Sequence, residues 1–182
     1  MPLSTEDRCR LIQLARQTIA HEVAEAPAPQ PGPILGVLAE KRGCFVTLTN
    51  QGMLRGCIGT FSPRRPLAQS VVEMACEACH DPRFVHHPVT ARELGSLTVE
   101  VSVLGPLEPI ADPLSLELGK HGIYIINGYS AGCFLPEVAI ETGWTAEEFL
   151  THCCQGKAGM SGDAWKRPDT QVYVFTSEKF KE

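Results

Sequence analysis

Two strand-forming runs joined by a short turn constrain the fold of this chain more than any other feature. Residues 44–49 are rich in β-branched and aromatic side chains, Asn50-Gln51-Gly52 has turn composition, and residues 54–60 follow as LRGCIGT. Runs of this kind, separated by a few residues that include glycine, are typical of a β-hairpin. The sequence therefore predicts a pair of antiparallel strands in the first half of the chain.

The LRGCIGT strand carries an arginine and a cysteine two positions apart. Because side chains alternate along a strand, Arg55, Cys57 and Gly59 are predicted to share one face. The residues predicted on the opposite face are Leu54, Gly56 and Ile58. A guanidinium across a dry gap favours a thiolate, so Arg55 and Cys57 would make a reactive pair. The alternative is a Cys57 that packs as a small apolar residue while Arg55 reaches solvent.

The two glycines of this strand, Gly56 and Gly59, are poor strand formers. Glycine inside a strand indicates a close backbone approach, a bend or a bulge. Both are therefore predicted to mark such an irregularity beside Cys57.

Three segments have the apolar spacing and the caps of helices. The first is predicted to run from a cap at Ser4 or Thr5 to the proline-rich connector 26–33. The second runs from a cap at Ser62 to about Cys79, and the third from a cap at Thr145 to about Cys154. The last of these helices has the best-defined start, because Thr145 and Glu148 have the spacing of a capping box.

Further strand signals alternate irregularly with the helices. Residues 97–104 read LTVEVSVL with a period of two, residues 122–126 and 133–135 flank a turn, and residues 172–175 form a closing run. Helices mixed with hairpins predict an α+β fold with a mostly antiparallel or mixed sheet flanked by helices. At 182 residues the chain fits a single domain over residues 1–182, which would divide into two lobes at residues 1–33 and 34–182.

Charge and hydropathy exclude several classes of protein. The net charge of -5 argues against a nucleic-acid partner, which usually needs a basic excess. No run of about 18 apolar residues exists, so no membrane span is expected. The polar and acidic residues 4–7 are unlike a signal peptide, and we therefore expect a cytoplasmic protein whose eight cysteines are free thiols or ligands.

Residues 76–80 read CEACH, which matches the C-x-x-C-H pattern of covalent haem attachment. The missing export signal argues against haem, and a zinc site would need a second ligand pair that the sequence does not supply. Cys153 and Cys154 are adjacent, so on a helix they point about 100° apart and suit one ligand better than two. We predict packing cysteines here, with no metal site and no cofactor, while Cys76, Cys79, His80 and Cys153 stay open as ligands.

Two further segments carry charged candidates. In Asp81-Pro82-Arg83-Phe84 the aspartate is expected to cap the turn, and Arg83 either pairs with a carboxylate or binds an anionic ligand. Lys157 lies in a glycine-containing loop without the spacing of a phosphate loop, so it supplies a positive charge to a cleft or stays solvated.

Seven segments together resemble the AMME chromosomal region candidate domain family, whose bacterial and archaeal members are called AmmeMemoRadiSam system protein A. They are LRGCIGT at 54–60, DPRF at 81–84, LTVEVSVL at 97–104, HGIYI at 121–125, LPEVA at 135–139, GWTAEEFL at 143–150 and KAG at 157–159. The resemblance covers most of the chain.

This resemblance implies a two-lobed α+β domain with the LRGCIG segment at a cleft. It also implies partners, namely a Memo-like protein, itself similar to non-haem iron dioxygenases, and a radical S-adenosylmethionine enzyme. Carried over by position, the candidate catalytic residues are Cys57 and Arg55. The candidate binding residues are Gly56, Gly59, Asp81, Arg83 and Lys157.

Two functions fit these residues. The first is an enzyme or enzyme component in which Cys57, assisted by Arg55, is a nucleophile or redox group acting on a small or peptidic anionic substrate, with His80 or His121 as the candidate base. The second is a non-catalytic module that binds a partner protein, with Cys57 packed inside a groove.

Overall fold

The protein is described here by a computed structural model, which covers residues 2–182. The chain forms two compact units. The first holds the residues up to Leu104 together with Glu178–Glu182, and the second holds Gly105–Ser177. Each unit contains one four-stranded antiparallel sheet with helices, which confirms the predicted α+β class.

The boundary between the units differs from the predicted division after residue 33. The first helix, α1 (Thr5–Ala24), packs against the second, α2 (Leu67–Cys79), and so belongs to the same unit as the first hairpin. Six apolar residues of α1 are buried or packed in that core: Leu11, Ile12, Leu14, Ala15, Ile19 and Val23. The apolar face of α1 therefore has its partners within the first unit.

The sheet of the first unit has the strand order β2-β1-β3-β8. Its strands are β1 (Cys44–Asn50), β2 (Met53–Thr60), β3 (Leu97–Leu104) and β8 (Ser177–Lys181). The hairpin of β1 and β2 confirms the sequence prediction, and β2 lies at the edge of the sheet. Helix α2 packs on both hairpin strands.

Two helix starts show how local sequence sets an element boundary. Ser4 caps α1 as predicted, and its side chain and that of Asp7 form a capping box. The predicted start of α2 at Ser62-Pro63 is wrong, because the helix begins at Leu67 after Pro66. A residue that precedes proline is disfavoured in the helical region, so Arg65 cannot be part of the helix.

A β-bulge interrupts the pairing of the first hairpin. Leu48 pairs with Gly56, and the residue that follows it in β1, Thr49, pairs with Leu54. Arg55 is therefore an extra residue of β2 without a partner in β1. Strict alternation along LRGCIGT is therefore wrong at its start, because the bulge shifts the register by one residue. Cross-strand partners share a face, so Leu54 lies on the same face as Cys57 rather than opposite it.

The second unit has the strand order β4-β7-β5-β6. Its elements are β4 (Glu108–Pro109), β5 (Gly122–Asn127), β6 (Ser130–Phe134), α3 (Pro136–Thr142), α4 (Ala146–Gly156) and β7 (Gln171–Phe175). The capping box of Thr145 and Glu148 starts α4 as predicted. Within residues 2–182, no helix combines the length and the apolar character that crossing a membrane requires.

Candidate functional site

Cys57 lies on the sheet face that points away from the core of the first unit. Its pairing partner is Thr47, whereas the neighbouring pairs Gly56–Leu48 and Ile58–Val46 point into the core. The Thr47 hydroxyl donates a hydrogen bond to the Cys57 sulfur at 3.2 Å. The thiol is therefore half-buried against a polar neighbour rather than packed among aliphatic side chains.

Asp81 fixes the backbone of Cys57 from outside the sheet. The Cys57 N–H donates to Asp81 Oδ2 at 2.9 Å, and the Arg83 N–H donates to Asp81 Oδ1 at 3.0 Å. The Arg83 guanidinium forms two more bonds to the same carboxylate, at 3.0 and 2.6 Å. These bonds, that from Arg83 foremost, lower the pKa of Asp81 to about 2 although the side chain is buried.

Arg83 connects this carboxylate to the cysteine. Its Nη2 donates to the carbonyl of Cys57 at 3.1 Å, so both backbone groups of Cys57 at the edge of the sheet are bound by side chains. The pKa of Arg83 is raised, chiefly by its hydrogen bond to Asp81 and further by charge and hydrogen-bond interactions with the Cys57 side chain. We call Thr47, Cys57, Asp81 and Arg83 the Cys57 cluster.

Arg55 binds Glu93 and Pro88 instead of forming the predicted pair with Cys57. Arg55 Nε donates to Glu93 Oε1 at 2.7 Å, and Nη2 donates to Glu93 Oε2 at 3.2 Å and to the carbonyl of Pro88 at 3.1 Å. The bulge is the physical reason, because it takes Arg55 out of the alternation that would align it with Cys57. The guanidinium that contacts Cys57 is that of Arg83, which donates to the Cys57 carbonyl.

Glu93 is the centre of a second cluster, which we call the Glu93 cluster. Besides Arg55 it accepts hydrogen bonds from the Asn50 amide at 3.2 Å and from the Thr90 N–H and hydroxyl at 3.0 and 3.1 Å. The hydrogen bond from Arg55 is the main cause of the lowered pKa of Glu93, about 2. Sequence reasoning missed Glu93, although residues 90–93 have the spacing of a capping box.

Close packing explains both predicted glycines. A Cβ on Gly56 would lie 2.0 Å from the carbonyl oxygen of Ala78 in α2. A Cβ on Gly59 would lie 2.2 Å from the Phe45 ring and 2.6 Å from the Cys44 carbonyl oxygen. Both glycines therefore let the edge strand approach its neighbours closely, as the strand interpretation allowed.

The remaining candidates lie elsewhere. Lys157 belongs to the second unit, where it follows α4 and its Nζ is 5.8 Å from the centre of the Phe134 ring. His80 contacts Glu22 at 3.2 Å, and His121 Nδ1 accepts from the N–H of Glu117 within the second unit. The contacts of both histidines are thus with acidic residues or their backbone.

Most other cysteines differ from Cys57 in their surroundings. Burial is the first cause of a raised pKa at Cys44, Cys76, Cys79, Cys153 and Cys154. Without a cation to bind them, such thiols keep their protons and are weak nucleophiles. Cys57 instead accepts a hydrogen bond from the Thr47 hydroxyl at its sulfur and one from the Arg83 guanidinium at its carbonyl.

The fold and this site define a class of protein: an α+β chain with two antiparallel sheets, in which the DPRF turn binds both edge backbone groups of an RGC strand. The AMMECR1 family profile matches residues 12–180, and the chain belongs to that family.

Proteins from archaea are similar over nearly the whole chain. A protein from Methanothermobacter thermautotrophicus is 40% identical and covers 100% of this chain and 97% of its own. One from Thermococcus gammatolerans is 43% identical, over 94% of this chain and 88% of its own. The crystal structure of an uncharacterised protein, PH0010 from Pyrococcus horikoshii, matches with a TM-score of 0.85 and 38% identity, over 94% of this chain and 89% of that one.

Proposed function

We propose that this protein is an enzyme or enzyme component in which Cys57 is a nucleophile acting on a small or peptidic anionic substrate. The observation that carries the proposal is the pair of contacts at Cys57, whose sulfur accepts a hydrogen bond from the Thr47 hydroxyl and whose carbonyl accepts one from the Arg83 guanidinium. Arg83 takes the role that the sequence assigned to Arg55. We also propose a cytoplasmic location, which the eight free cysteines support because thiols stay reduced there.

The two groups beside the sulfur have complementary effects. A hydroxyl that donates to sulfur and a nearby guanidinium both stabilise the negative charge that develops on the sulfur as its proton leaves. In the reaction the thiol proton leaves to solvent and the sulfur lone pair forms a bond to an electrophilic atom of the substrate. The leaving group of that atom departs with the bonding electron pair.

Arg83 can serve the substrate as well as the sulfur. Its side chain is 54% exposed although its carboxylate partner is 1% exposed, so part of the guanidinium faces solvent. A substrate carboxylate or phosphate would find charge-assisted hydrogen bonds there. This geometry is the reason to propose an anionic substrate.

Two alkylating reagents of equal size and different charge test the proposal. Iodoacetate is anionic and iodoacetamide is neutral, so the ratio of their rates at Cys57, measured by peptide mass spectrometry on the native protein, reports the local positive charge. We expect the iodoacetate-to-iodoacetamide rate ratio at Cys57 to exceed that at exposed Cys9 by roughly three- to tenfold. A tenfold excess corresponds to about 1.4 kcal/mol of electrostatic free energy. Arg83→Gln should abolish the excess.

Arg55→Gln is the matched control, because it removes the same charge from the neighbouring cluster. It should leave the ratio at Cys57 close to the wild-type value. A Cys57 that resists both reagents in the native fold, or a ratio equal to that at Cys9, would contradict the proposal.

A second candidate function is a docking module for a partner protein. Three large apolar side chains stay exposed on or next to the elements that carry the Cys57 cluster, namely Met53, Leu54 and Val85. Exposed apolar side chains of this kind favour protein contacts when they are grouped. The partners proposed from the family resemblance are a Memo-like protein and a radical S-adenosylmethionine enzyme.

The two functions respond differently to two variants. Binding of a purified Memo-like protein or radical enzyme, measured by calorimetry, should survive Cys57→Ala but weaken at least tenfold in the double variant Met53→Ser and Leu54→Ser if the protein is a docking module. Gly56→Val is unsuitable for this purpose, because Gly56 packs against α2 rather than lining a groove. Absence of binding by the wild type would remove this second candidate.

A further inference from the structure

Three potential metal ligands meet where the last turn of α1 lies beside the end of α2. Glu22 belongs to α1, Cys76 to α2, and His80 is the residue that caps α2. One ligand atom from each lies within 4.8 Å of the other two. The His80 Nε2 is already 3.2 Å from Glu22 Oε2.

Helix geometry explains why these residues converge. Cys76 and His80 are four residues apart and therefore lie on the same side of α2. The packing of α1 against α2 brings Glu22 to that side. The ligand atoms of a tetrahedral zinc site are about 3.3–3.8 Å apart, so small rotamer changes are sufficient to close this group around an ion.

We propose that Glu22, Cys76 and His80 bind a zinc-type divalent cation through three protein ligands, with the fourth position open to water. Sulfur, imidazole nitrogen and carboxylate oxygen are the zinc ligands of proteins, whereas magnesium and calcium prefer oxygen alone. The exposed imidazole, whose side chain is 60% accessible, leaves room for that fourth position.

Binding of a divalent cation would displace the proton of the Cys76 thiol, because the thiolate is the form that binds a metal.

Cys79 is excluded from this site although it belongs to the same C-x-x-C-H sequence. It is buried in the core of the first unit, and its sulfur is 3.4 Å from the carbonyl oxygen of Ala75 within α2. The site thus uses the first cysteine and the histidine of the sequence. Covalent haem attachment would require both cysteines, and the burial of Cys79 leaves only Cys76 accessible.

Cobalt substitution tests the proposal directly, because Co²⁺ takes the ligands of Zn²⁺ and reports them by absorption. Titration of the reduced, untagged full-length protein with Co²⁺ should give one equivalent of bound metal, a thiolate-to-cobalt charge-transfer band and the visible bands of tetrahedral cobalt. Added Zn²⁺ should displace it with loss of both features.

The variants assign the ligands. Cys76→Ser should abolish the charge-transfer band, and His80→Gln or Glu22→Gln should weaken Co²⁺ binding roughly tenfold or more. Cys9→Ser and Cys57→Ser are the matched controls and should retain the spectrum. Circular dichroism of each metal-free variant checks that the fold is kept.

Two results would overturn the proposal. One is the lack of a charge-transfer band at millimolar Co²⁺, which would leave Glu22 and His80 as a surface ion pair only. The other is a band that persists in Cys76→Ser and disappears in Cys57→Ser, which would place the metal at the Cys57 cluster.

Discussion

The two arginine–carboxylate pairs beside strand β2 have the same chemistry and opposite exposure. In the Glu93 cluster both partners are largely buried, with 16% of the Arg55 side chain and 18% of the Glu93 side chain accessible. In the Cys57 cluster the Asp81 side chain is buried, but more than half of Arg83 faces solvent. In the buried pair, Arg55 also donates to the Pro88 carbonyl, and Glu93 also accepts hydrogen bonds from Asn50 and Thr90.

This difference separates a structural pair from a candidate functional one. Arg55 donates to Glu93 and Pro88 and is largely buried with its carboxylate partner, so its charge is neutralised inside the fold. Arg83 is held at one edge by Asp81 and by the Cys57 carbonyl, and its remaining surface is accessible to a ligand. A charge that is positioned by a buried carboxylate and still exposed suits recognition of an anion.

The largest effect is expected where the two clusters meet. Gly56 lies between Arg55 and Cys57, and a Cβ there would overlap the Ala78 carbonyl of α2. Gly56→Ala must push the strand away from the helix and disturb both clusters together, at a cost of about 3 kcal/mol. Urea unfolding of the purified variant measures this loss.

Gly95→Ala is the matched control, because a Cβ at Gly95 would meet nothing within 4 Å and its backbone is not in the left-handed region. Its unfolding free energy should stay within about 0.5 kcal/mol of the wild type. Equal stability of the two variants would show that the close approach of β2 to α2 is not required.

Acid titration compares the two carboxylates next. The pKa values of Asp81 and Glu93 are lowered from 3.8 and 4.5 to about 2, so each stabilises the fold at neutral pH and loses that contribution as the pH falls. Asp81→Asn and Glu93→Gln should each lower the free energy of unfolding at pH 7. In each variant the loss of unfolding free energy between pH 4.5 and 2 should be smaller than in the wild type by roughly 2 kcal/mol. Urea unfolding at several pH values gives both quantities.

Burial sets the order of the two variants. Asp81 also accepts the Cys57 N–H, and loss of its charge in a dry site is more costly, so Asp81→Asn should be the less stable variant at pH 7. If both variants kept the full acid dependence of the wild type, other carboxylates would cause it, and neither ion pair would contribute the expected amount of about 2 kcal/mol.

Much of the fold follows from local sequence signals. The capping residues Ser4 and Thr145, the hairpin turn at residues 50–52 and the alternating run of β3 all lie where the sequence predicts them. The strand β8 was not predicted, because SEKFK carries few strand-forming residues and its pairing depends on a distant part of the chain. Long-range pairing of this kind leaves little trace in a short segment.

The candidate site was predicted less completely, and the bulge is the reason. A hairpin without a bulge would extend the Thr49–Leu54 register and pair Cys57 with Val46, whose side chain is buried in the core. One extra residue at Arg55 moves Cys57 to the opposite face, beside Thr47. The glycines predicted that some irregularity would occur, but the position of the extra residue depends on the Glu93 cluster, which is assembled from distant segments.

The smallest effect is expected from the hydroxyl that this shift brings to the sulfur. Thr47→Val keeps the shape of the side chain and removes the donor at 3.2 Å, so negative charge that develops on the sulfur during attack loses a hydrogen bond. Alkylation of Cys57 by iodoacetamide, followed by peptide mass spectrometry, should slow about two- to threefold, as expected for a weak hydrogen bond to sulfur. Thr49→Val, one pair further along the same face, should leave the rate unchanged. A faster reaction in Thr47→Val would mean that the hydroxyl shields the thiol instead of activating it, and Arg83 alone would then distinguish the Cys57 cluster from the Glu93 cluster.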